Sequence, residues 1–141
     1  MEESLKKFAQ CMGLGKYQDA QMILNDHRED IKRWFGDDHP ANLSVDNNQG
    51  LLLKLDGNFE EARRLFERVV EKYTLFYGEH HSSTVNAVVN LATILKDLKE
   101  YDESIIYYEK ALEGRKASEG EDSMSYAMAK AMAAGSYREA G

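Results

Sequence analysis

The sequence contains very little cysteine and proline: Cys11 and Pro40 are the only residues of these two types among 141. A single cysteine cannot form an intramolecular disulfide and does not supply a zinc-binding cluster, which fits a protein of a reducing compartment. The scarcity of proline leaves long segments without a helix breaker, in a composition rich in alanine, leucine, glutamate and lysine. We therefore expect an all-α fold.

Long apolar runs and an excess of positive charge are also missing. No segment reaches 18 consecutive apolar residues, and residues 1–7 (MEESLKK) do not resemble the start of a signal peptide. The sequence thus predicts neither secretion nor a membrane span, and we expect a cytoplasmic protein. A formal net charge of -7 would repel the phosphates of nucleic acid in the absence of a concentrated basic patch. We expect neither nucleic acid nor a membrane as a partner.

Patterns typical of catalysis or metal binding are not visible. The adjacent His80 and His81 do not have the spacing of four that places two ligands on one face of a helix, and no cysteine cluster assists them. No histidine is placed to activate Cys11, and no combination of nucleophile, base and oxyanion donor can be recognised. The sequence predicts a protein that is not an enzyme and that holds no metal and no cofactor.

The chain does contain a repeat of 42 residues. Three similar hexapeptides begin 42 residues apart, at 15–20 (GKYQDA), 57–62 (GNFEEA) and 99–104 (KEYDES). A second landmark, a glycine, keeps the same interval at Gly36, Gly78 and Gly120. A fixed period of this size is typical of stacked helical hairpins, in which each unit buries its apolar face against the next.

Each period is expected to hold two helices separated by the hexapeptide. Apolar residues after Gly57 advance by three or four, as on an amphipathic helix: Phe59, Ala62, Phe66, Val69 and Tyr73. The same count makes 2–13 the first helix of the opening unit and 124–140 the first helix of a fourth unit, so about seven helices result. We place the units at 1–36, 37–78 and 79–120, with the last helix in 121–141, in a single repeat domain that is an excerpt of a longer array.

The columns of the repeat contain departures that carry predictions. Gly57 suits a tight turn because glycine adopts a left-handed backbone without strain, whereas Lys99 in the same column lacks that freedom and should form a different turn. Small residues at Ala20, Ala62 and Ser104 should let the two helices of a unit approach closely. In the second unit Asp46 and Gln49 stand where the third has Val88 and Leu91, which predicts a loss of apolar packing.

These columns resemble those of the tetratricopeptide repeat, and the link 36–40 (GDDHP) resembles that of the kinesin light chain subtype. The resemblance covers nearly the whole chain. It implies an α-solenoid of antiparallel helical hairpins, wound as a right-handed superhelix, whose first helices line a concave groove. It also implies a scaffold that binds other proteins, because asparagines in similar places of kinesin light chain repeats belong to a groove that receives cargo peptides.

Polar residues on the predicted first helices are the candidates for such a groove. Three cations share one column: Lys54, Lys96 and Arg138. Asn48 and Asn90 share another, with Asn47, Asn86 and Thr93 close by on the same helices. An asparagine amide both donates to and accepts from a peptide backbone, and cations favour acidic residues. We therefore predict a protein or peptide partner, bound by all eight of these side chains.

Other interpretations remain open. A cation near the end of a helix can simply interact with the helix dipole and stay solvated. Met124, Met128 and Met132 recur along the last predicted helix, and an exposed apolar stripe of this kind favours self-association into a homo-oligomer with a structural role. The repeats could also regulate another domain of a longer protein.

Overall fold

The computed structural model describes residues 2–120 and 124–140, which form α-helices and no strand. The seven helices are α1 (Glu2–Gly13), α2 (Tyr17–Phe35), α3 (Ala41–Leu55), α4 (Phe59–Tyr77), α5 (Ser82–Asp97), α6 (Tyr101–Glu119) and α7 (Met124–Ala140). The predicted all-α fold is confirmed, and the helices expected at 2–13 and 124–140 have these bounds. No helix in the described part of the chain is long and apolar enough to cross a membrane.

The helices pack in the order of the sequence, as hairpins α1–α2, α3–α4 and α5–α6 followed by α7 against α6. We call α1, α3, α5 and α7 the first helices, and α2, α4 and α6 the second helices. The surfaces that the two sets form are the first-helix face and the second-helix face. The first helices α3 and α5 also contact each other directly.

Small residues allow the close approach within each hairpin, as predicted. Ala20, Ala62 and Ser104 are completely buried, and the Ser104 hydroxyl donates to the carbonyl of Ala92 at 2.8 Å. The approach is close at Gly50 as well, where an added Cβ would lie 2.6 Å from two ring carbons of the buried Phe66. Burial of a side chain as large as this phenylalanine stabilises the fold by about 1.5–3 kcal/mol.

The turn at Lys99 is a correction to the sequence-based expectation. Lys99 has φ 64°, in the left-handed region, as Gly57 does with φ 83°. The hydrogen bonds also correspond, because Lys99 N–H donates to the carbonyl of Lys96 at 2.9 Å and Gly57 N–H donates to that of Lys54 at 3.1 Å. The packing of α5 against α6 therefore imposes the glycine turn on a lysine, at a conformational cost of about 1–2 kcal/mol.

The links between units are fixed by a histidine and an aromatic ring. His39 Nδ1 accepts the N–H of Ala41 at 3.1 Å, and His81 Nδ1 accepts that of Ser83 at 3.1 Å, so each caps the start of a first helix. The ring of His39 stacks on Phe35 with centroids 4.5 Å apart, and His81 stacks on Tyr77 at the same distance. Both histidines thus have a structural role at equivalent positions of the repeat.

Polar pairs replace the apolar packing whose loss was expected in α3. Asp46, only 8% exposed, accepts from Arg28 of α2 at 2.8 Å and from Arg68 of α4 at 3.2 Å. Gln49 and Gln21 exchange two amide hydrogen bonds of 2.6 and 2.8 Å. The expectation of a weakened interface was therefore incomplete, because the partners on α2 and α4 are polar as well.

Candidate binding surface

Asn47 and Asn90 meet on the first-helix face, although 43 positions separate them in the sequence. Nδ2 of Asn90 donates to Oδ1 of Asn47 at 3.0 Å, joining α3 to α5. Both side chains are half-buried. The bond uses one donor group and one acceptor, so within the described part of the chain Nδ2 of Asn47 and Oδ1 of Asn90 remain available for a ligand.

Asn48 follows Asn47 on α3 and lies beside a cavity of about 420 Å³ between α1 and α3. Leu5, Phe8, Met12 and Leu51 supply the apolar part of the lining. Because Asn48 and Asn90 are 42 residues apart, the two amides occupy equivalent places on successive first helices. The predicted asparagine column is therefore present on the first-helix face, with apolar surface around its first member.

Thr93 is engaged within the hairpin. Its hydroxyl donates to the carbonyl of Val89 at 2.9 Å and lies 3.0 Å from the phenolic oxygen of Tyr108. Burial raises the pKa of Tyr108, whose ring is almost completely enclosed. Thr93 thus joins α5 to α6, and its hydroxyl has less capacity left for a ligand than the asparagine amides do.

Asn86 is also occupied by a partner within the chain. Its Oδ1 accepts a hydrogen bond from Arg115 of α6. The residue lies one turn before Asn90 on α5 and is exposed. The amide nitrogen therefore remains for any further contact at this end of the helix.

The three predicted cations differ from one another in their surroundings. Nζ of Lys54 lies 3.6 Å from a carboxylate oxygen of Asp97, and both side chains are about one-third exposed. Lys96 is half-buried and reaches across to α7, where a Cβ added to Gly135 would lie 2.8 Å from its Nζ. Arg138 is exposed on α7. The column exists, but Lys54 and Lys96 each lean toward the next first helix.

Sequence inspection missed a second concave region, on the second-helix face between α2 and α4. It has a volume of about 710 Å³, and the side chains that matter most in its lining are Arg28, Lys32, Arg68, Lys72, Leu75 and Phe76. We call it the α2–α4 groove. Asp46 of α3 lies at its floor, held between the two arginines.

A signal for this groove was present in the sequence. One repeat further on, Val70 and Val88 stand at the positions of Arg28 and Asp46. Two facing positions that change together from apolar to oppositely charged indicate an ion pair between the first and second units. No group of three or more His, Cys, Asp or Glu that could hold a metal exists among residues 2–120 and 124–140.

A family model described as "Tetratricopeptide repeat" matches residues 8–74 and again 42–117. The two matches together span most of the chain and are offset by less than one 42-residue period. The chain belongs to the tetratricopeptide repeat family. Such repeats generally form scaffolds for protein–protein interaction, and the fold is typically not catalytic.

The fold of the tetratricopeptide repeats in this chain is similar to that of kinesin light chain-like repeats in solved structures. A kinesin light chain candidate from Podosopora anserina with nearly identical TPR-like repeats has a TM-score of 0.87 at 17% identity, over 99% of this chain and 66% of that one. BtubC (BKLC) from P. vanneervenii has a TM-score of 0.85 at 18% identity, over 99% of this chain and 55% of that one. The predicted α-solenoid is confirmed.

Relatives in sequence are found among much longer proteins. A clustered mitochondria protein homolog from Meyerozyma guilliermondii is 31% identical over 98 residues, 70% of this chain and 8% of that protein. One from Debaryomyces hansenii is 27% identical over 92 residues, 65% of this chain and 7% of that protein. This chain therefore spans less than a tenth of the curated relatives that it matches.

Proposed function

We propose that the first-helix face binds a short extended segment of a partner protein, and that the Asn47–Asn90 pair reads the backbone of that segment. The observation that supports this most is the pair itself, which crosses from α3 to α5 and leaves one amide donor group and one amide acceptor for a ligand. A peptide in extended conformation offers carbonyl and N–H groups that match such an amide pair.

The remaining predicted residues contribute around this centre. Asn48 offers a second amide, beside the cavity between α1 and α3. Arg138, the partly paired Lys54 and the half-buried Lys96 add positive charge at the other end of the first helices. Thr93 and Asn86 support α5 through their contacts with α6. The partner segment then carries acidic residues toward one end.

The test uses short peptides selected on the whole chain from a random display library, labelled with a fluorophore and measured by fluorescence anisotropy. Asn90→Leu removes the amide at nearly constant volume, and we expect a loss of affinity of about tenfold, as for one or two hydrogen bonds. Asn25→Leu is the matched control, because Asn25 is exposed on the second helix α2. Equal binding by the parent and Asn90→Leu would show that the ligand lies elsewhere.

Salt dependence separates the charge of Lys96 from its packing. Lys96→Glu should weaken the selected peptides more at low salt than at high salt, because mobile ions screen exposed charges. Lys110→Glu changes the charge of the chain equally from the second helix α6 and should have little effect. A loss with Lys96→Glu that is independent of salt would instead indicate disturbed packing against Gly135.

A second candidate function is self-assembly through α7. Met124, Met128 and Met132 are 78%, 62% and 37% exposed, so the apolar stripe expected from the sequence lies on the surface of this chain. Light-scattering mass across a concentration series should then rise for the parent but not for Met128→Lys. Met22→Lys is the control, since Met22 is 63% exposed on α2. A parent that keeps the mass of one chain at all concentrations would exclude this function.

A further inference from the structure

The α2–α4 groove has walls made entirely of residues within the repeat stack. Arg28 and Lys32 come from α2, Lys72 and Phe76 from α4, and Asn42 and Leu43 from the first turn of α3 form its floor together with Asp46. The volume of about 710 Å³ is within the range of sites that enclose a small ligand or a few peptide residues. Its shape does not depend on either terminal helix.

The charge of the groove is opposite in sign to that of the whole chain. The lining contains four cations (Arg28, Lys32, Arg68 and Lys72) and three carboxylates (Asp37, Asp38 and Asp46). Its local charge is therefore +1, in a chain of net charge -7. One of the carboxylates is Asp46, which is buried between the two arginines and is therefore already neutralised.

The lysines are the cations most open to a ligand. Lys32 lies 3.9 Å from Asp37, but both side chains are about 70% exposed, so their attraction is weak. Lys72 is exposed on α4 and has no partner within the described part of the chain. An approaching carboxylate can therefore pair with Lys72 without first displacing another acid.

Exposed apolar side chains lie next to these lysines. Leu75 is 79% exposed and Phe76 is 52% exposed, and both line the same groove. Large apolar side chains beside a concave charged surface are typical of contact sites for other proteins. A partner that satisfies both features needs carboxylates and a large apolar side chain close together.

The equivalent position one repeat further on does not have this character. There the cavity between α4 and α6 measures about 170 Å³, and its walls include Val70, Val88 and Tyr107. Its charged side chains include two glutamates but only one lysine, Lys110. The cationic groove is thus a property of the junction between the first and second units and not of the repeat pattern.

We propose that the α2–α4 groove is a second binding site, which takes a short acidic protein segment carrying a large apolar side chain. The carboxylates of the segment pair with Lys72 and Lys32, and its apolar side chain packs against Leu75 and Phe76. The site lies on the second-helix face and is independent of the first-helix site proposed above, so one repeat stack can join two different segments.

The test uses a short fluorescein-labelled peptide in which aspartates flank one tryptophan, and a counterpart in which asparagines replace the aspartates. The parent chain should bind the aspartate peptide at low salt and the asparagine peptide at least about tenfold more weakly. Lys72→Glu and Phe76→Ser should each weaken the aspartate peptide by about tenfold or more. Lys110→Glu, which makes the same charge change in the neighbouring cavity, should bind as the parent does.

Further outcomes decide whether the site is the one proposed. A loss of the aspartate peptide in Asn90→Leu but not in Lys72→Glu would assign that peptide to the first-helix face and overturn the proposal. Equal losses with Lys110→Glu and Lys72→Glu would overturn the proposal, because net charge alone would then explain them. Unchanged binding by Phe76→Ser would also overturn it, as would a change in light-scattering mass showing that Lys72→Glu disrupts contacts between two copies of the chain.

Discussion

Gly50 and Gly135 provide the sharpest test of how closely the helices pack, because the same substitution should have opposite effects at the two sites. In Gly50→Ala the new Cβ would lie 2.6 Å from Cε1 and Cζ of Phe66, a fully buried ring within a packed core cluster. In Gly135→Ala it would meet only Nζ of Lys96, at 2.8 Å, which is the far end of a flexible side chain.

The magnitudes follow from two opposing terms. Alanine in place of a mid-helix glycine stabilises by about 0.5–1 kcal/mol. Overpacking a dense core costs about 1–3 kcal/mol, and of Gly50 and Gly135 only Gly50 incurs this cost in full. We therefore expect Gly50→Ala to lower the free energy of unfolding by about 1–2 kcal/mol, and Gly135→Ala to raise it by about 0.5–1 kcal/mol.

Urea and thermal unfolding followed by far-UV circular dichroism measure both effects. For a domain of this size 1 kcal/mol corresponds to about 4 °C in Tm, so the two variants should differ by roughly 6–12 °C. Gly114→Ala is a further check, because its new Cβ would press on the buried Val85. This variant should lose stability as Gly50→Ala does. A Gly50→Ala variant as stable as the parent would refute the argument from packing.

Substitutions at three further places test individual contacts. Lys99→Gly should raise the free energy of unfolding by roughly 1 kcal/mol, since glycine adopts φ 64° without strain, and an unchanged urea midpoint would contradict this. Burial lowers the pKa of His27 below 6.5, so the unfolded chain binds the proton more readily. Stability should therefore be complete above pH 6.5 and fall as the pH drops below it, and His27→Val, which copies the next repeat, should flatten this dependence in acid unfolding curves. Replacing both Arg28 and Arg68 by neutral residues should lower the free energy of unfolding by about 3 kcal/mol or more, because Asp46 is then buried without a counter-charge. Valine at both Arg28 and Asp46 should lower the free energy of unfolding by less than about 1 kcal/mol.

The sequence was sufficient to predict the helices because their ends are marked by local chemistry. Gly36, Gly78 and Gly120 end the second helices with φ of 86–90° and ψ of 164–177°, a backbone region that is essentially restricted to glycine. Lys99 shows where this logic fails. Its turn is set by the docking of α5 on α6, and the local preference of lysine is the weaker term.

The candidate sites were harder to predict, because a repeat shows which residues are equivalent but not toward which neighbour each side chain leans. Asn48 and Asn90 share a column, yet the contact in the structure joins Asn90 to Asn47, in a different column. Lys54 and Lys96 were expected as open cations, and Asp97 and the backbone at Gly135 respectively lie against them. These contacts run between successive units and are set by the rotation from one unit to the next.

The same geometry explains why the two faces offer different chemistry to a partner. On the first-helix face α3 and α5 touch, so polar side chains there satisfy one another in part and present amides. On the second-helix face α2 and α4 are joined through Asp46 of the intervening α3, and the space above it stays open between Lys32 and Lys72. An acidic segment thus meets a less neutralised lysine at Lys72 than at Lys54. The face that such a segment prefers can be measured by comparing the affinity that Lys72→Glu loses with the affinity that Lys54→Glu loses.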